Sequence, residues 1–297
     1  TLSPPQLSGS LGELNQIPLR AFSWSLAGMM YGGSCWLAVV GMLTGDWLGP
    51  AMEFSAVAAV WSLLIERLKK ERRSELYERI VDAMTTNETL WFRDAFPFEI
   101  LRQVILPDQA RARVPGMRIW SAACSSGQEP YSISMIVEEF QRASPGALAN
   151  NVQIMATDLS PSMLELARAG IYDAASMARG ISDERRRQFF SERDGRWELR
   201  EDLRRRVTFS EHNLMQGFEP LGKFQVIFCR NVLIYFSADL KRSILARFAA
   251  ALQPGGYLFL GAAEAITGYS DAFEMLRLPQ GIVYRLKRAN SVRPAFG

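Results

Sequence analysis

The sequence predicts an α/β fold, a doubly wound, mostly parallel sheet with a small antiparallel β insertion and a helical region ahead of it. Three observations carry that prediction. From Met117 onward, short apolar runs alternate with amphipathic stretches; turn or cap residues mark the junctions; and one charge-dense interval, about 170–206, breaks the rhythm.

Taken in order, residues 67–90 are highly charged and then polar, and read as a helix in which Leu76, Ile80, Val81 and Met84 recur at helical spacing. Residues 117–123 (MRIWSAA) are a strand by length and flanks. A Ser-Ser-Gly turn follows, then a helix from Pro130 with Ile133, Ile136, Val137 and Phe140 in one stripe. Residues 152–157 (VQIMAT) are a second strand, closed by Asp158. Ser160 as N-cap, Pro161 in the first turn and Gly170 as C-cap delimit the next helix. Residues 224–230 (FQVIFCR) are a buried strand, the stretch after Ser237 is a helix ending near Gly255 and Gly256, and residues 256–261 (GYLFLG) are another strand. Inside the charge-dense interval, Asp194-Gly195 between segments of strand character is a hairpin signal. The arginine runs of that interval read either as a solvated face or as a docking surface for an acidic protein partner.

Composition narrows the class. With 48% hydrophobic and 22% charged residues, collagen-like, low-complexity and disordered readings are excluded. Cys35, Cys124 and Cys229 include no C-x-x-C spacing, so neither a disulfide framework nor a structural zinc site is expected, and a reducing cytosol is the default setting. A net charge of +3 does not by itself imply a nucleic-acid partner. The charge is uneven: residues 1–66 hold Arg20 against Glu13, Asp46, Glu53 and Glu66, and four of the seven tryptophans.

In an open parallel sheet, ligands sit beyond the carboxyl ends of the strands. Three features converge on that edge. The loop from Ser125 to Pro130 follows the first strand with small residues that admit close backbone approach. Asp158 ends the second strand, where an acid accepts hydrogen bonds from a ribose diol, and Arg230-Asn231 ends a later one. Together they point to a nucleoside-containing cofactor. The loop is neither G-x-G-x-x-G nor a Walker loop, which disfavours a dinucleotide or a triphosphate.

The same residues lie in segments that resemble the CheR family, the chemotaxis receptor methyltransferases that use S-adenosylmethionine. The segments are 85–94 (TTNETLWFRD), 119–132 (IWSAACSSGQEPYS), 156–160 (ATDLS), 211–214 (EHNL), 228–236 (FCRNVLIYF) and 254–265 (PGGYLFLGAAEA), in the family's order and over roughly residues 74–287. The resemblance implies a class I Rossmann-like methyltransferase that converts S-adenosylmethionine to S-adenosylhomocysteine. It implies cofactor contacts at Asn87, Thr89, Arg93, Glu129, Asp158, Asn213, Leu214, Arg230 and Asn231, with Tyr235 beside the transferring methyl group. Arg93 and Tyr235 are the expected catalytic pair; as alternatives, Tyr235 is a core aromatic and Arg93 a helix-surface charge. No metal is expected.

The implied reaction is methylation of glutamate side chains in the cytoplasmic helices of methyl-accepting receptors. A carboxylate is already ionised near neutral pH, with an ordinary pKa of about 4.3, so no general base is required and His212 is read as a structural neighbour of the adenine pocket. The resemblance further implies a monomer in the cytoplasm, associated with receptor arrays. The interval 170–206 matches the family's small antiparallel subdomain, which in some members pairs with a receptor tail peptide. It looks short here, so binding independent of a tail is expected. A nucleic-acid substrate is not expected, because residues 230–233 read Arg-Asn-Val-Leu where base methylases carry N-P-P-Y. A signalling or scaffold module that binds the cofactor without turnover, and a methyltransferase with a different substrate such as a small molecule, are the competing readings.

Residues 1–66 depart from the family's polar, basic N-terminal helical domain. They read as a membrane hairpin turning at 46–50, as a divergent buried helical domain, or as a stretch that is not the native reading of its gene, which the abrupt change in composition favours. The expected organisation is therefore 1–66 atypical, 67–107 helical segment and linker with the N-x-T motif, 108–287 methyltransferase domain, and 288–297 tail.

Overall fold

Strands that are apolar at nearly every position need cover on both faces. The computed structural model, which describes Asp82 and residues 87–113, 115–148 and 152–288, provides it. Seven strands form one sheet: β1 (Met117–Ala122), β2 (Val152–Asp158), β6 (Val207–Glu211), β7 (Phe224–Cys229), β8 (Leu252–Phe259), β9 (Phe273–Leu278) and β10 (Gly281–Leu286). Their order is β6-β2-β1-β7-β8-β10-β9. The first five run parallel, and β10 is antiparallel to both β8 and β9.

Alternation along each strand divides the core. Ile119, Val226, Phe228 and Phe259 point to one face, and Trp120, Ala122, Ile227, Cys229, Leu258 and Leu260 to the other. The first face packs α3 (Gln128–Ala143) and a helical run made of α1 (Phe96–Ile100), a π turn (Leu101–Ile105) and α2 (Leu106–Arg111). Phe98 from that run stacks on Phe228 at 6.0 Å, and Phe228 on Phe259 at 4.6 Å. The second face is covered by α8 (Ala238–Ala251) through Ile244, Leu245 and Phe248, with Trp120 at the centre of its aromatic cluster.

The caps predicted at Ser160 and Gly170 are present, and Ser237 adds another. Ser160 Oγ accepts the Met163 N–H at the start of α4 (Pro161–Ala169), which Gly170 closes at φ 62°, and Ser237 caps α8 through the Leu240 N–H. The charge-dense interval forms a separate sheet of β3 (Ile171–Tyr172), β4 (Phe190–Arg193) and β5 (Arg196–Leu199), in order β3-β5-β4 and antiparallel throughout. Asp194 and Gly195 join β4 to β5 at φ 52° and 71°, the double left-handed pair of a tight hairpin. Three short helices, α5 (Ala174–Met177), α6 (Asp183–Phe189) and α7 (Glu201–Arg205), flank it. Arg185, Arg186, Arg200, Arg205 and Arg206 of this interval pair with Glu139, Asp183, Asp202, Glu201 and Glu138 respectively, all within the same domain.

Several boundaries differ from the sequence reading. α3 begins at Gln128, two residues before Pro130, because the first turn of a helix tolerates a residue without an N–H. α8 stops at Ala251 and β8 starts at Leu252, ahead of the Gly255-Gly256 pair. The strand absorbs Pro254 and Gly255 through a register irregularity opposite Phe224 and Val226. Residues 87–90 are not helical, so the helix read over 67–90 does not include them, and Asn87 and Thr89 are poor helix formers in any case. The stripe from Leu76 to Met84, the three readings of residues 1–66, and residues 289–297 lie outside the described residues. The chain divides into two compact units, Thr1–Thr86 and Asn87–Gly297. Among the described residues, no helix is long and apolar enough to cross a membrane.

Candidate active site

Strand order reverses beside β1, with β2 on one side and β7 on the other, so the crevice of the fold opens at the carboxyl ends of these three strands. Asn87, Arg93, Glu129, Asp158, Asn213, Leu214, Arg230 and Asn231 gather on that edge. Asp158 is the last residue of β2 and is 7% exposed; its Oδ2 accepts the Ser125 N–H at 2.7 Å and its Oδ1 the Ser160 N–H at 3.0 Å. The carboxylate thereby fixes the loop after β1. That loop is tightly wound, with Ala123, Ser125 and Gly127 at φ 62°, 49° and 93°. A Cβ at Gly127 would lie 2.9 Å from the Ala167 Cβ, so the close approach of α4 requires glycine there.

Glu129 lies in the first turn of α3. Its Oε1 accepts from Ser121 Oγ at 2.7 Å and its Oε2 from the Arg230 guanidinium at 3.1 Å. Burial pushes the Glu129 carboxyl above the usual range, against the pull of Arg230 and the Ser121 hydrogen bond. Arg230 has a side chain only 2% exposed, and it also donates to Asp94 Oδ2 at 2.6 Å and to the Arg93 carbonyl at 2.7 Å. Its guanidinium therefore braces three pieces of chain against one another, the end of β7, the start of α3 and the segment 91–95.

That segment brings in the N-x-T residues. The Asn87 carbonyl accepts from Ser125 Oγ at 3.1 Å, and Thr89 is half-buried. Arg93 is half-buried, outside any helix, and donates to the Glu88 carbonyl at 3.1 Å, so it is not a helix-surface charge. Its positive charge reaches the Glu129 carboxyl. The segment is clamped from behind: the fully buried Trp91 packs edge-on against Tyr172 and Phe190 and donates to the Ser176 carbonyl, all in the antiparallel insertion.

After β6, His212 donates its backbone N–H to the Asp158 carbonyl at 3.0 Å, which brings Asn213 and Leu214 to the end of β2. Leu214 is buried, and Asn213 Oδ1 accepts the Met215 N–H. The His212 ring packs against Trp120 and Phe218, and burial, then Arg247, lowers its pKa. After β7, Asn231 sits at φ 60° with a buried Oδ1 that has no partner among the described residues. Tyr235 closes a 3-10 turn (Leu233–Tyr235) and is 61% exposed, so it is not a core aromatic. Of the eight non-glycine residues with left-handed backbone among those described, Phe92, Asp94, Ala95, Ala123, Ser125 and Asn231 all border this crevice. Such strain persists where surrounding structure enforces it, and it gathers at functional sites.

Residues 87–282 match the family model described as CheR methyltransferase, SAM binding domain. The chain belongs to the CheR methyltransferase family. A chemotaxis protein methyltransferase, Cher2, of Pseudomonas putida is 45% identical over 281 residues, covering 94% of this chain and 100% of that protein. Chemotaxis protein methyltransferase 1 of Pseudomonas aeruginosa is 50% identical over 82% of this chain and 89% of its own length, and its namesake from Vibrio cholerae 54% identical over 73% and 78%. The chain is thus an S-adenosylmethionine-dependent methyltransferase with the class I doubly wound sheet. The crevice suits that cofactor: two fixed carboxylates, Glu129 and Asp158, match a cationic amino acid and a diol, and the orphaned Asn231 Oδ1 awaits a donor. Asp94, Ser121 and Trp91 escaped the sequence reading as parts of the site; Asp94 and Trp91 lie inside the segment 85–94 that carries the resemblance.

Proposed function

We propose that the chain methylates glutamate side-chain carboxylates in the cytoplasmic helices of methyl-accepting chemotaxis receptors, forming methyl esters. The observation that carries this reading is the charge at the crevice rim. The two carboxylates are held by donors of the protein and the His212 ring is packed among aromatics, while Arg93 stands half-exposed beside them. Such a rim suits a substrate that arrives already ionised. The names of the relatives, chemotaxis protein methyltransferases, support a receptor as that substrate.

When bound, S-adenosylmethionine supplies a methyl group activated on a sulfonium. Asp158, Asn213 and Leu214 hold the nucleoside end, and Glu129, Asn87, Thr89 and Asn231 the amino-acid end. Arg230 acts through Glu129 and Asp94, keeping both loops in place. Arg93 orients the substrate carboxylate, and Tyr235 shapes the opening through which it approaches. A carboxylate held there would accept that methyl group without losing a proton, so the chain's residues need supply no general base. Catalysis is then chiefly positioning.

The four-residue strands β4 and β5 support recognition that does not depend on a receptor tail. We place the enzyme as a monomer on the cytoplasmic side of receptor arrays. Incubation with methyl-labelled S-adenosylmethionine and bacterial receptor membranes, followed by mild base, tests the reading. Label released as volatile methanol from receptor protein is the expected result, and label stable to base, or on another acceptor, contradicts it.

A further inference from the structure

Tyr235 is an exposed side chain, so packing does not hold it; its place is set by the backbone of the turn that carries it. That backbone is held by a residue so far without a role. Glu264, in the loop after β8, accepts the Asn231 N–H at 2.8 Å and the Gly261 N–H at 2.7 Å on Oε2, and the Ile234 N–H at 3.2 Å on Oε1. One carboxylate therefore ties the loop after β8 to both ends of the segment running from Asn231 into the 3-10 turn. The two loops are also in close contact: a Cβ at Gly261 would lie 2.7 Å from Asn231 Nδ2 and 2.9 Å from its backbone nitrogen. The turn is otherwise fixed by the buried Leu233, by Val232 and Phe236 packed against the same apolar cluster, and by the Ser237 cap of α8. Within the turn, the Ile234 N–H beside Tyr235 is tied by Glu264 to the loop after β8.

We infer that Glu264 is a positioning residue which sets the placement of Tyr235 at the methyl-transfer opening; this rests on the role proposed above for Tyr235. Hydrogen bonds from backbone N–H groups to an ionised acceptor are the stronger kind, and an isosteric amide cannot replace all three. In Glu264→Gln, one end becomes an NH2 donor facing either Ile234 N–H or the Asn231 and Gly261 pair.

The test is a double-mutant cycle on the full chain, with kcat read at saturating S-adenosylmethionine on receptor membranes and the thermal midpoint recorded for each variant. Glu264→Gln lowers kcat by about ten- to a hundredfold in the wild-type background, the scale of a small misplacement at a reacting centre. In the Tyr235→Ala background it lowers kcat by less than about threefold, because the group it places is gone. An equal loss in both backgrounds overturns the inference, and marks Glu264 as a general structural residue. A wild-type kcat for Glu264→Gln overturns it as well. If Tyr235→Ala itself retains full kcat, the role of Tyr235 fails and the inference falls with it. Should the Gln variant not fold, Glu264→Asp, which keeps the charge with shorter reach, runs through the same cycle with the same criteria.

Discussion

Arg230 shows how one residue can brace several pieces of a site at once. A guanidinium that is 2% exposed is costly to desolvate, and it is kept here by Glu129, Asp94 and the Arg93 carbonyl together. Arg230→Met leaves both acids without their cation, so it should cost roughly 3–5 kcal/mol, read from urea unfolding. Glu129 adds a pH dependence of definite sign. Its folded pKa is raised by burial, so the native state binds this proton more readily than the unfolded state. The stabilising contribution is complete below the ordinary glutamate pKa and is lost as pH rises through the elevated native one. Glu129→Gln should remove that slope from a stability-versus-pH curve, and an unchanged slope would assign it to another group. The Arg93 side chain, by contrast, has no hydrogen-bond partner among the described residues beyond the Glu88 carbonyl, so Arg93→Ala should lower turnover at least tenfold with little change in S-adenosylhomocysteine affinity by calorimetry.

Among the elements, the antiparallel insertion supports the site mechanically. Gly180 and Gly195 have similar left-handed backbones, φ 88° and 71°, but different surroundings. A Cβ at Gly180 would lie 1.9 Å from the Trp91 carbonyl oxygen, whereas one at Gly195 meets nothing within 4 Å. Gly195→Ala should therefore cost about 1–2 kcal/mol, the backbone strain alone. Gly180→Ala should cost more and also depress activity, since Trp91 must shift and the segment through Arg93 moves with it; paired thermal melts and turnover measurements check the contrast. Much of the element structure was legible in the sequence. Ser160 is a cap, Ser237 precedes a helix, Gly170 is a stop, and Asp194-Gly195 is a hairpin, because each acts through its own neighbours. The run α1–α2 and the antiparallel pair β9–β10 were not, since their apolar residues are matched to distant partners such as Phe228 and Leu258 rather than to a local period.

At the level of the whole molecule, the same distinction separates what motifs can reveal from what only the fold reveals. Glu129, Asp158 and Asn231 are recognisable by type and by their positions after β1, β2 and β7, because ligands gather at that edge of any such sheet. The Arg230 hub, the Trp91 clamp and the Glu264 tie are invisible in sequence, for each reaches groups 30 to 137 residues away. In the function proposed here, the assembled crevice presents Arg93 as a cation at the rim of the cofactor site, toward a carboxylate that reacts as it arrives. The most direct measurement is peptide mapping by mass spectrometry of receptor cytoplasmic helices after incubation with the enzyme and S-adenosylmethionine. Methyl esters on glutamate side chains, absent when Arg93→Ala replaces the enzyme, are the predicted result; methylation confined to any other side chain, or none on receptor protein, would contradict it.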